Sequence, residues 1–457
     1  MAEEYDVVSS EGMGAASGNG IGQAGKFIAH KGEDFDVIVA GGGPAGMGAA
    51  VAASLQGAKT LLLEAQSTLG GVAAAAMWMP VNRITLWGVT PEGGKRGGVH
   101  DLFVDAIRSF GAHAYSERRH PAADMRGGLS IHPDYLKMAC FQLLEHSGCK
   151  YRLYSPVTGV VKQGNCLRGV KVGTKDGEEY FNGKIIIDCT GDGDVSLQAG
   201  VRMYKGRESD GKLLPPALLW TVTNVDIQKF FRFFTGERAR FDEMVSQAKA
   251  EGYLTCKWYD FDETSLPDTV NVNNGGVDDW GNVDMTQEAD MTLAERLGIQ
   301  AALDFCTFAR KKRMPGMEDC CLMRAGYRVA VRDTRRVEAQ YRITHEDARN
   351  APEFPDIVSR RYGFIDAVGY YAAQMVSGHA YPYRCLVPVG VDNLLAAGRC
   401  AGATHLGFAS GRGMGENMGM GQAAGIAATE AIRQKKTPAQ IDVRPVQDIL
   451  RSMGVRL

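Results

Sequence analysis

The sequence has no excess of either charge: 51 basic residues stand against 53 acidic ones, for a formal net charge of -2. No global field therefore draws the chain to nucleic acid or to an anionic membrane, and neither is expected as a partner. No run of 18 consecutive apolar residues interrupts it, so the ordinary signature of a membrane-spanning helix is missing. The ten cysteines, at 140, 149, 166, 189, 256, 306, 320, 321, 385 and 400, contain no C-x-x-C spacing. A zinc ribbon, an iron–sulfur cluster and a disulfide-reductase dithiol are thus not spelled out, and no metal site is expected. The adjacent Cys320 and Cys321 read as ordinary thiols, with a redox pair as the alternative. The start, Met-Ala-Glu-Glu-Tyr-Asp, carries neither the basic and apolar regions of a secretory signal nor a twin-arginine pair, and a cytoplasmic location is the expectation.

Glycine, by contrast, is plentiful at 57 residues, and its placement is informative. Residues 35–46 read Phe-Asp-Val-Ile-Val-Ala-Gly-Gly-Gly-Pro-Ala-Gly, an apolar strand running into a G-x-G-x-x-G turn with a helical stretch behind it. Gly41 permits the tight turn, Gly43 lets backbone N–H groups reach a pyrophosphate, and Gly46 lets the helix lie close on the strand. Pro44 and Ala45 open that helix, and Gly57 follows it where a left-handed cap is expected. The positive end of the helix dipole then faces the phosphates. The next strand, Thr-Leu-Leu-Leu-Glu, ends in Glu64, whose carboxylate accepts ribose hydroxyls and repels a 2′-phosphate, so FAD or NAD fits and NADP does not. No second strand–G-x-G-x-x-G–helix unit follows. Reducing equivalents must come from the substrate, from an external electron donor or acceptor, or from a nicotinamide visiting transiently.

The chain divides into segments of different pattern. Residues 1–33, rich in Gly, Ala and Ser, read as a flexible arm. Residues 34–203 form the first part of a dinucleotide-binding domain. Within it, Gly70, Gly71 and the small residues after them suit a backbone passing under a flat ring, or else a short alanine-rich core helix. His132-Pro133-Asp134 starts a helix that Gly148 stops. Segments 151–161, 167–173 and 178–187 read as an antiparallel meander, whose last strand ends at Thr190, Gly191 and Asp192 beside the nucleotide site. Residues 204–330 are mixed in pattern, with a polar glycine-rich loop at 271–282, and read as an inserted α+β substrate domain. Arg332, Arg335 and Arg336 are expected to be solvated pairs with nearby acids. Residues 331–457 return to the first domain through a buried strand ending at Gly398 and Arg399 and a helix from about Met418 to Arg433.

In this order of blocks the chain resembles the FAD-dependent oxidoreductases of the glutathione-reductase-like and fumarate-reductase-like superfamily, and within it the family related to the heterodisulfide reductase flavoprotein subunit. The blocks are Gly41 to Gly46, Glu64 with Leu69-Gly70-Gly71, Asp188 to Asp192, Leu214-Pro215-Pro216, Val331 to Arg336 with Tyr341, Thr344 to Asp347, Pro382 to Pro388, Leu395 to Arg399, Ala403-Thr404-His405 and Gly421 to Gly425. The resemblance implies an α/β fold: a Rossmann-like FAD-binding domain built from both ends of the chain, with the substrate domain inserted. It also implies that Val157 touches the cofactor, and that the C-terminal helix begins near Gly421, Gln422 and Ala423 against the flavin ring, where its dipole would favour reduced flavin. Two departures are informative. Residues 72–79 contain no histidine for a covalent flavin link, so FAD is expected to be noncovalent, and the iron–sulfur cysteines of the heterodisulfide reductase relatives are missing.

The candidate chemistry is hydride transfer between flavin N5 and a carbon of a small organic substrate. His405 is the first candidate for the accompanying proton, because its loop should cross the ring face and its pKa suits neutral pH; a histidine that only supports the loop is the alternative. Tyr383 is a weaker proton relay. Arg384, Ser410 and Arg412 are candidate substrate contacts, and guanidinium forks favour an anionic or polyhydroxylated molecule. A flavin monooxygenase or oxidase is the second reading and a tRNA-modifying flavoprotein the third. Oligomeric state is left open.

Overall fold

The computed structural model describes residues 25–87, 89–90, 93–116, 128–277, 283–363, 365–367, 370–372 and 378–457. Two sheets carry the site. In chain order their strands are β1 (Asp34–Ala40), β2 (Thr60–Leu63), β3 (Lys150–Arg152), β4 (Val157–Gln163), β5 (Cys166–Thr174), β6 (Gly177–Asp188), β7 (Trp220–Thr223), β8 (Tyr259–Glu263), β9 (Val270–Asn274), β10 (Cys321–Ala325) and β11 (Leu394–Ala396). The helices that matter here are α1 (Pro44–Leu55), α2 (Val72–Ala75), α3 (Val99–Ser109), α4 (Pro133–Ser147), α5 (Glu288–Lys311), α6 (His405–Ala409) and α7 (Met414–Gln434).

The larger sheet runs β3-β2-β1-β6-β5-β4, with β11 joined to the end of β6. Strands β3, β2, β1, β6 and β11 pair in parallel, and β6-β5-β4 form an antiparallel meander. β6 serves both patterns: residues 177–182 pair with β5, and 186–188 pair with β11. All four residues of β2 are buried, as a parallel strand covered on both faces requires. The fold is α/β, and the parallel part of the sheet with its glycine turn is a Rossmann-like FAD-binding arrangement.

Helix α1 begins with Pro44 at its first turn, and Gly57, just past its end, has φ +85°. It packs backbone to backbone against α7. A Cβ on Gly48 would stand 2.2 Å from the Met418 carbonyl oxygen, one on Gly421 1.8 Å from that of Ala45, and one on Gly425 2.2 Å from that of Ala49. Glycine therefore lets the tail of the chain close on its amino-terminal unit. His132 caps α4, its Nδ1 accepting from the Asp134 amide, and Gly148 ends the helix with φ +78°.

The second sheet is antiparallel, in order β8-β9-β7-β10. It covers an aromatic core that includes Trp220, Phe230, Phe234, Phe241, Tyr259, Phe261 and Phe305. Phe234 and Phe261 meet edge to face with ring centroids 4.8 Å apart. Residues 271–274, the start of the expected loop at 271–282, instead belong to the strand Val270–Asn274: Val270 and Val272 lie in this core, and their burial overrides the asparagines between and after them. Residues 278–282 of that expected loop lie outside the described residues.

Two other expectations change. The segment 151–161 is not one strand: β3 pairs in parallel with β2, residues 153–156 leave the sheet through Tyr154 at φ +51°, and β4 starts afresh at Val157. Of the expected arm, residues 1–24 lie outside the described residues, whereas Gly25–Phe27 form a single 3-10 turn and Ile28 bridges to Tyr151 of β3. Among the described residues no helix is long and apolar enough to cross a membrane.

Candidate cofactor and active site

The glycine turn is built as its spacing requires. Gly41 has φ +99°, and a Cβ there would stand 2.4 Å from the Cys189 carbonyl oxygen. A Cβ on Gly46 would stand 1.7 Å from the Gly41 oxygen, so only glycine lets α1 lie this close. Gly43 differs from both: its backbone is extended at φ -73°, ψ -175°, and a Cβ would meet only Gly71 Cα at 3.8 Å. It faces open space at the first turn of α1. At the end of β2, Glu64 is 8 % exposed, with Oε2 accepting from the Gly42 amide at 2.6 Å and Oε1 from the Gln66 amide at 2.8 Å. Both oxygens are thereby fixed in direction and keep lone pairs for a ribose.

Buried Asp188 organises the end of β6. Its Oδ1 accepts from the amide and hydroxyl of Thr190, and its Oδ2 accepts from the amide and hydroxyl of Ser196 at 2.8 and 2.7 Å. The Thr190-Gly191-Asp192 turn is then tied to the tail of the chain, because Asp192 Oδ1 accepts from Arg399 Nη2 at 2.8 Å and from the Thr334 hydroxyl at 2.7 Å.

These groups line one cavity of about 710 Å³. At one end stand Glu64, Gln66, Ser155 and Val157; along its middle lie Gly41, Gly43, Pro44, Ala45, Gly71, Thr190, Gly191, Asp192, Gly398 and Arg399. The other walls bring Val72, Trp78 and Asn82 together with Arg332, Arg412, Gly413, Met414 and Asn417. The second sheet's half of the molecule adds Met291, Glu295, Tyr327 and Arg328. Arg332 is 5 % exposed, donates to the carbonyls of Pro215 and Asn274 at 2.6 Å each, and lies 4.5 Å over the Trp78 ring. Asn417 donates Nδ2 to the Arg412 carbonyl, while its buried Oδ1 has no partner among the described residues. Burial raises the pKa of the Glu295 carboxyl and of the Tyr327 phenol. An open glycine cradle at a helix start, a fixed carboxylate at the neighbouring strand end and a buried carbonyl oxygen still owed a donor together fit an FAD.

Several residues expected in this site sit elsewhere. His405 opens α6, fully buried, with Nδ1 3.2 Å from Asp333 Oδ2 and its amide donating to Glu208; it does not line the cavity. The cause is the cap, since the Thr404 hydroxyl accepts from the Gly407 amide and winds the expected loop into a helix that turns the ring inward. Tyr383 is buried, donating its hydroxyl to the Pro438 carbonyl at 2.8 Å. Arg384 pairs with Asp356 at 3.0 Å, and Ser410 hydrogen-bonds the Gly407 carbonyl and His379. Helix α7 starts at Met414, so Gly421 lies two turns inside it against α1. Gln422 accepts from the Val99 amide of α3 at 2.6 Å, Ala423 is fully buried, and none of the three lines the cavity. Gly70, at φ +93°, turns its α-carbon towards Leu136 of α4 rather than the cavity. Nor are the arginines at 332–336 solvated: Arg332 and Arg336 are buried, and Arg335 reaches Asp194 and the Asp192 carbonyl.

With its ring away from the cavity, His405→Ala is expected to lower thermal stability while leaving the anaerobic rate of FAD reduction within about twofold. A tenfold slower reduction would return the imidazole to the chemistry.

The model of the family described as FAD dependent oxidoreductase matches residues 36–450. The chain belongs to that family. It is an FAD-dependent oxidoreductase. A curated relative is the digeranylgeranylglycerophospholipid reductase of Thermoplasma acidophilum, 26 % identical over 235 residues, which are 48 % of this chain and 55 % of that protein. The match thus spans about half the length of that relative. Among solved structures, a geranylgeranyl bacteriochlorophyll reductase-like protein from Thermoplasma acidophilum is 16 % identical, with a TM-score of 0.46 over 92 % of this chain and 84 % of that one. A flavin-dependent brominase triple mutant is 13 % identical, with a TM-score of 0.48 over the same shares.

Trp78, Asn82, Arg332, Gly413, Met414 and Asn417 of the flavoprotein's cavity were not singled out by sequence. Only the glycine-dense stretch from Gly411 to Gly421 carries a signal for any of them, and Arg332 carries one opposed to its true position.

Proposed function

We propose that this flavoprotein is a dehydrogenase or reductase of a small organic molecule that docks where Trp78, Asn82, Arg332, Arg412 and Asn417 converge. The observation that carries this reading is a cavity joining the dinucleotide cradle to two arginines, Arg332 and Arg412. FAD, when bound, supplies a two-electron acceptor or donor. The protein's part is to orient and to neutralise. The Arg332 guanidinium is held by two carbonyls and an indole, so it is a cation fixed before any ligand arrives. Arg412 stands at the start of α7, where helix dipole and side chain both favour negative charge. An anionic or oxygen-rich substrate fits these two groups. The region 204–330 is read as the substrate domain, contributing Met291, Glu295 and Tyr327, and 34–203 with 331–457 as the FAD domain. Noncovalent FAD fits residues 72–79, which hold no histidine or cysteine. A reductase among the curated relatives agrees with the reading, and the block order from Gly41 to Gly425 supports kinship with the heterodisulfide reductase flavoprotein subunit.

The test is anaerobic mixing of the yellow protein with hydroxy acids, enoates and sugars, and of its dithionite-reduced form with the same panel. Bleaching or recolouring by one compound is the expected result. Turnover that consumes oxygen stoichiometrically with a hydroxylated product would replace the reading by a monooxygenase. With that compound in hand, Arg412→Met should raise KM about tenfold, equivalent to about 1.4 kcal/mol of binding, at unchanged FAD content; an unchanged KM would remove Arg412 from the substrate site.

A further inference from the structure

A second cavity, of about 210 Å³, lies between the four-stranded sheet and two segments of the FAD domain, Met77–Met79 and Ser130–Asp134. The sheet has two unlike faces. Trp220, Phe261 and Val272, which are cross-strand neighbours, point into the aromatic core. One residue along, Thr221, Asn271 and Asp262 form a polar row across β7, β9 and β8 on the other face. A polar sheet face ordinarily turns to water. Here it does not: Asn271 is 2 % and Asp262 3 % exposed.

Asn271 Oδ1 accepts from the Thr221 hydroxyl at 3.3 Å, but the row is not satisfied throughout. Asn271 Nδ2, Asp262 Oδ2, Ser265 Oγ and Ser130 Oγ are all buried and have no hydrogen-bond partner among the described residues. Each such group costs folding free energy, and unpaired buried groups are ordinarily few and scattered. Three of these residues, Asn271, Ser265 and Ser130, line the cavity, with Asp262 next to Asn271 in the sheet, and they mark a place where a ligand completes the bonding. Met77, Met79, Ile131, Leu266 and Met323 give the cavity an apolar, adaptable part, beside His132, Asp134 and Arg324.

We propose that this cavity binds a small uncharged carbonyl compound with an apolar body of about one ring, its oxygen accepting from Asn271 Nδ2 and the Ser130 hydroxyl. The size follows from volume, because an apolar cavity of about 150 Å³ already takes up benzene, leaving room here for a polar head. The absence of charge follows from the lining. Its arginine, Arg324, is paired with Asp134 at 3.3 Å, and burial holds His132 below its usual pKa, hence neutral. Burial, with Asp260 beside it, holds the Asp262 carboxyl well above the ordinary carboxylate range, which disfavours negative charge beside Asn271. A carboxylate or ammonium head would lose its water without gaining a free counter-ion.

This site is separate from the FAD cavity and does not rest on the function proposed above. Between Met77 and Met79, which line it, Trp78 lines the FAD cavity and carries Arg332. One three-residue segment is therefore the wall between the two.

Calorimetric titration of the FAD-loaded protein with benzamide tests the proposal, with benzoate and toluene as probes lacking neutrality and the carbonyl. Saturable 1:1 binding of benzamide is expected, with both controls at least tenfold weaker. Asn271→Leu should weaken benzamide at least tenfold while the flavin absorption band and melting temperature hold. If that variant does not fold, Ser130→Ala decides, with a severalfold loss expected. Absence of saturable benzamide binding, equal binding of benzoate, or undiminished affinity in the folded variant would overturn the assignment.

Discussion

Gly43→Trp is expected to yield a folded protein that purifies without yellow colour. The backbone there is extended, at φ -73° and ψ -175°, a conformation open to any residue, and a Cβ meets nothing closer than Gly71 Cα at 3.8 Å. The indole would therefore occupy the cavity where the start of α1 offers its amides, displacing the pyrophosphate without disturbing the core. The expected loss of FAD affinity is at least a hundredfold, equivalent to about 3 kcal/mol, read by reconstitution and flavin fluorescence. Circular dichroism should match the parent. A variant that holds FAD at parental affinity would move the phosphates elsewhere and dismantle the site described above. The comparison with Gly46 is instructive, because any side chain there collides with the Gly41 carbonyl and tests folding rather than binding.

The second large effect concerns stability. Asp333 and Arg336 are each about 1 % exposed and paired at 2.7 Å, with His405 on the other carboxylate oxygen at 3.2 Å. Burial already lowers the pKa of the Arg336 guanidinium, and the Asp333 charge opposes that shift. Removing the acid in Asp333→Ala leaves a buried cation without its partner, a change that typically costs about 3–5 kcal/mol. The measurement is the shift of the denaturant midpoint of the FAD-free protein, so that lost cofactor does not inflate it. A change below about 1 kcal/mol would show that water reaches Arg336. Because the next residue, Thr334, donates to Asp192 in the FAD cavity, weaker FAD retention should accompany the loss.

The part of this architecture most legible in the sequence is the part whose signals are local. Strand, glycine turn, Pro44, Gly57 and Glu64 sit within thirty-one residues, from Asp34 to Glu64, and each has a backbone reason for its identity that tertiary packing does not change. His132 and Gly148 bracket a helix for the same reason. Gly398 and Arg399 follow from the order of blocks and Arg412 from its place in the loop after them, and all three line the cavity. What the sequence concealed depends on packing between distant segments. Gly413 and Gly415 read as loop because glycine disfavours helix. Yet α7 begins at Met414, since a Cβ on Gly415 would stand 1.9 Å from the Arg83 carbonyl oxygen and close packing supplies what propensity lacks. His405 was expected to face the ring because its position along the chain was right; the direction of its side chain was set by the Thr404 cap, which spacing does not report. The run at 332–336 illustrates a general ambiguity, because three arginines around one aspartate look alike whether they meet water or, as for Arg332 here, indole and carbonyl groups in the interior.

The pairing of β11 with β6, and of α7 with α1, has a bearing on how the protein is made. The ribosome delivers the phosphate cradle long before the helix that closes it, so a nascent chain cannot complete the cradle until Met414–Gln434 has emerged. Such long-range pairing also slows folding. Chains that stop before that helix should therefore remain pale and open to proteases.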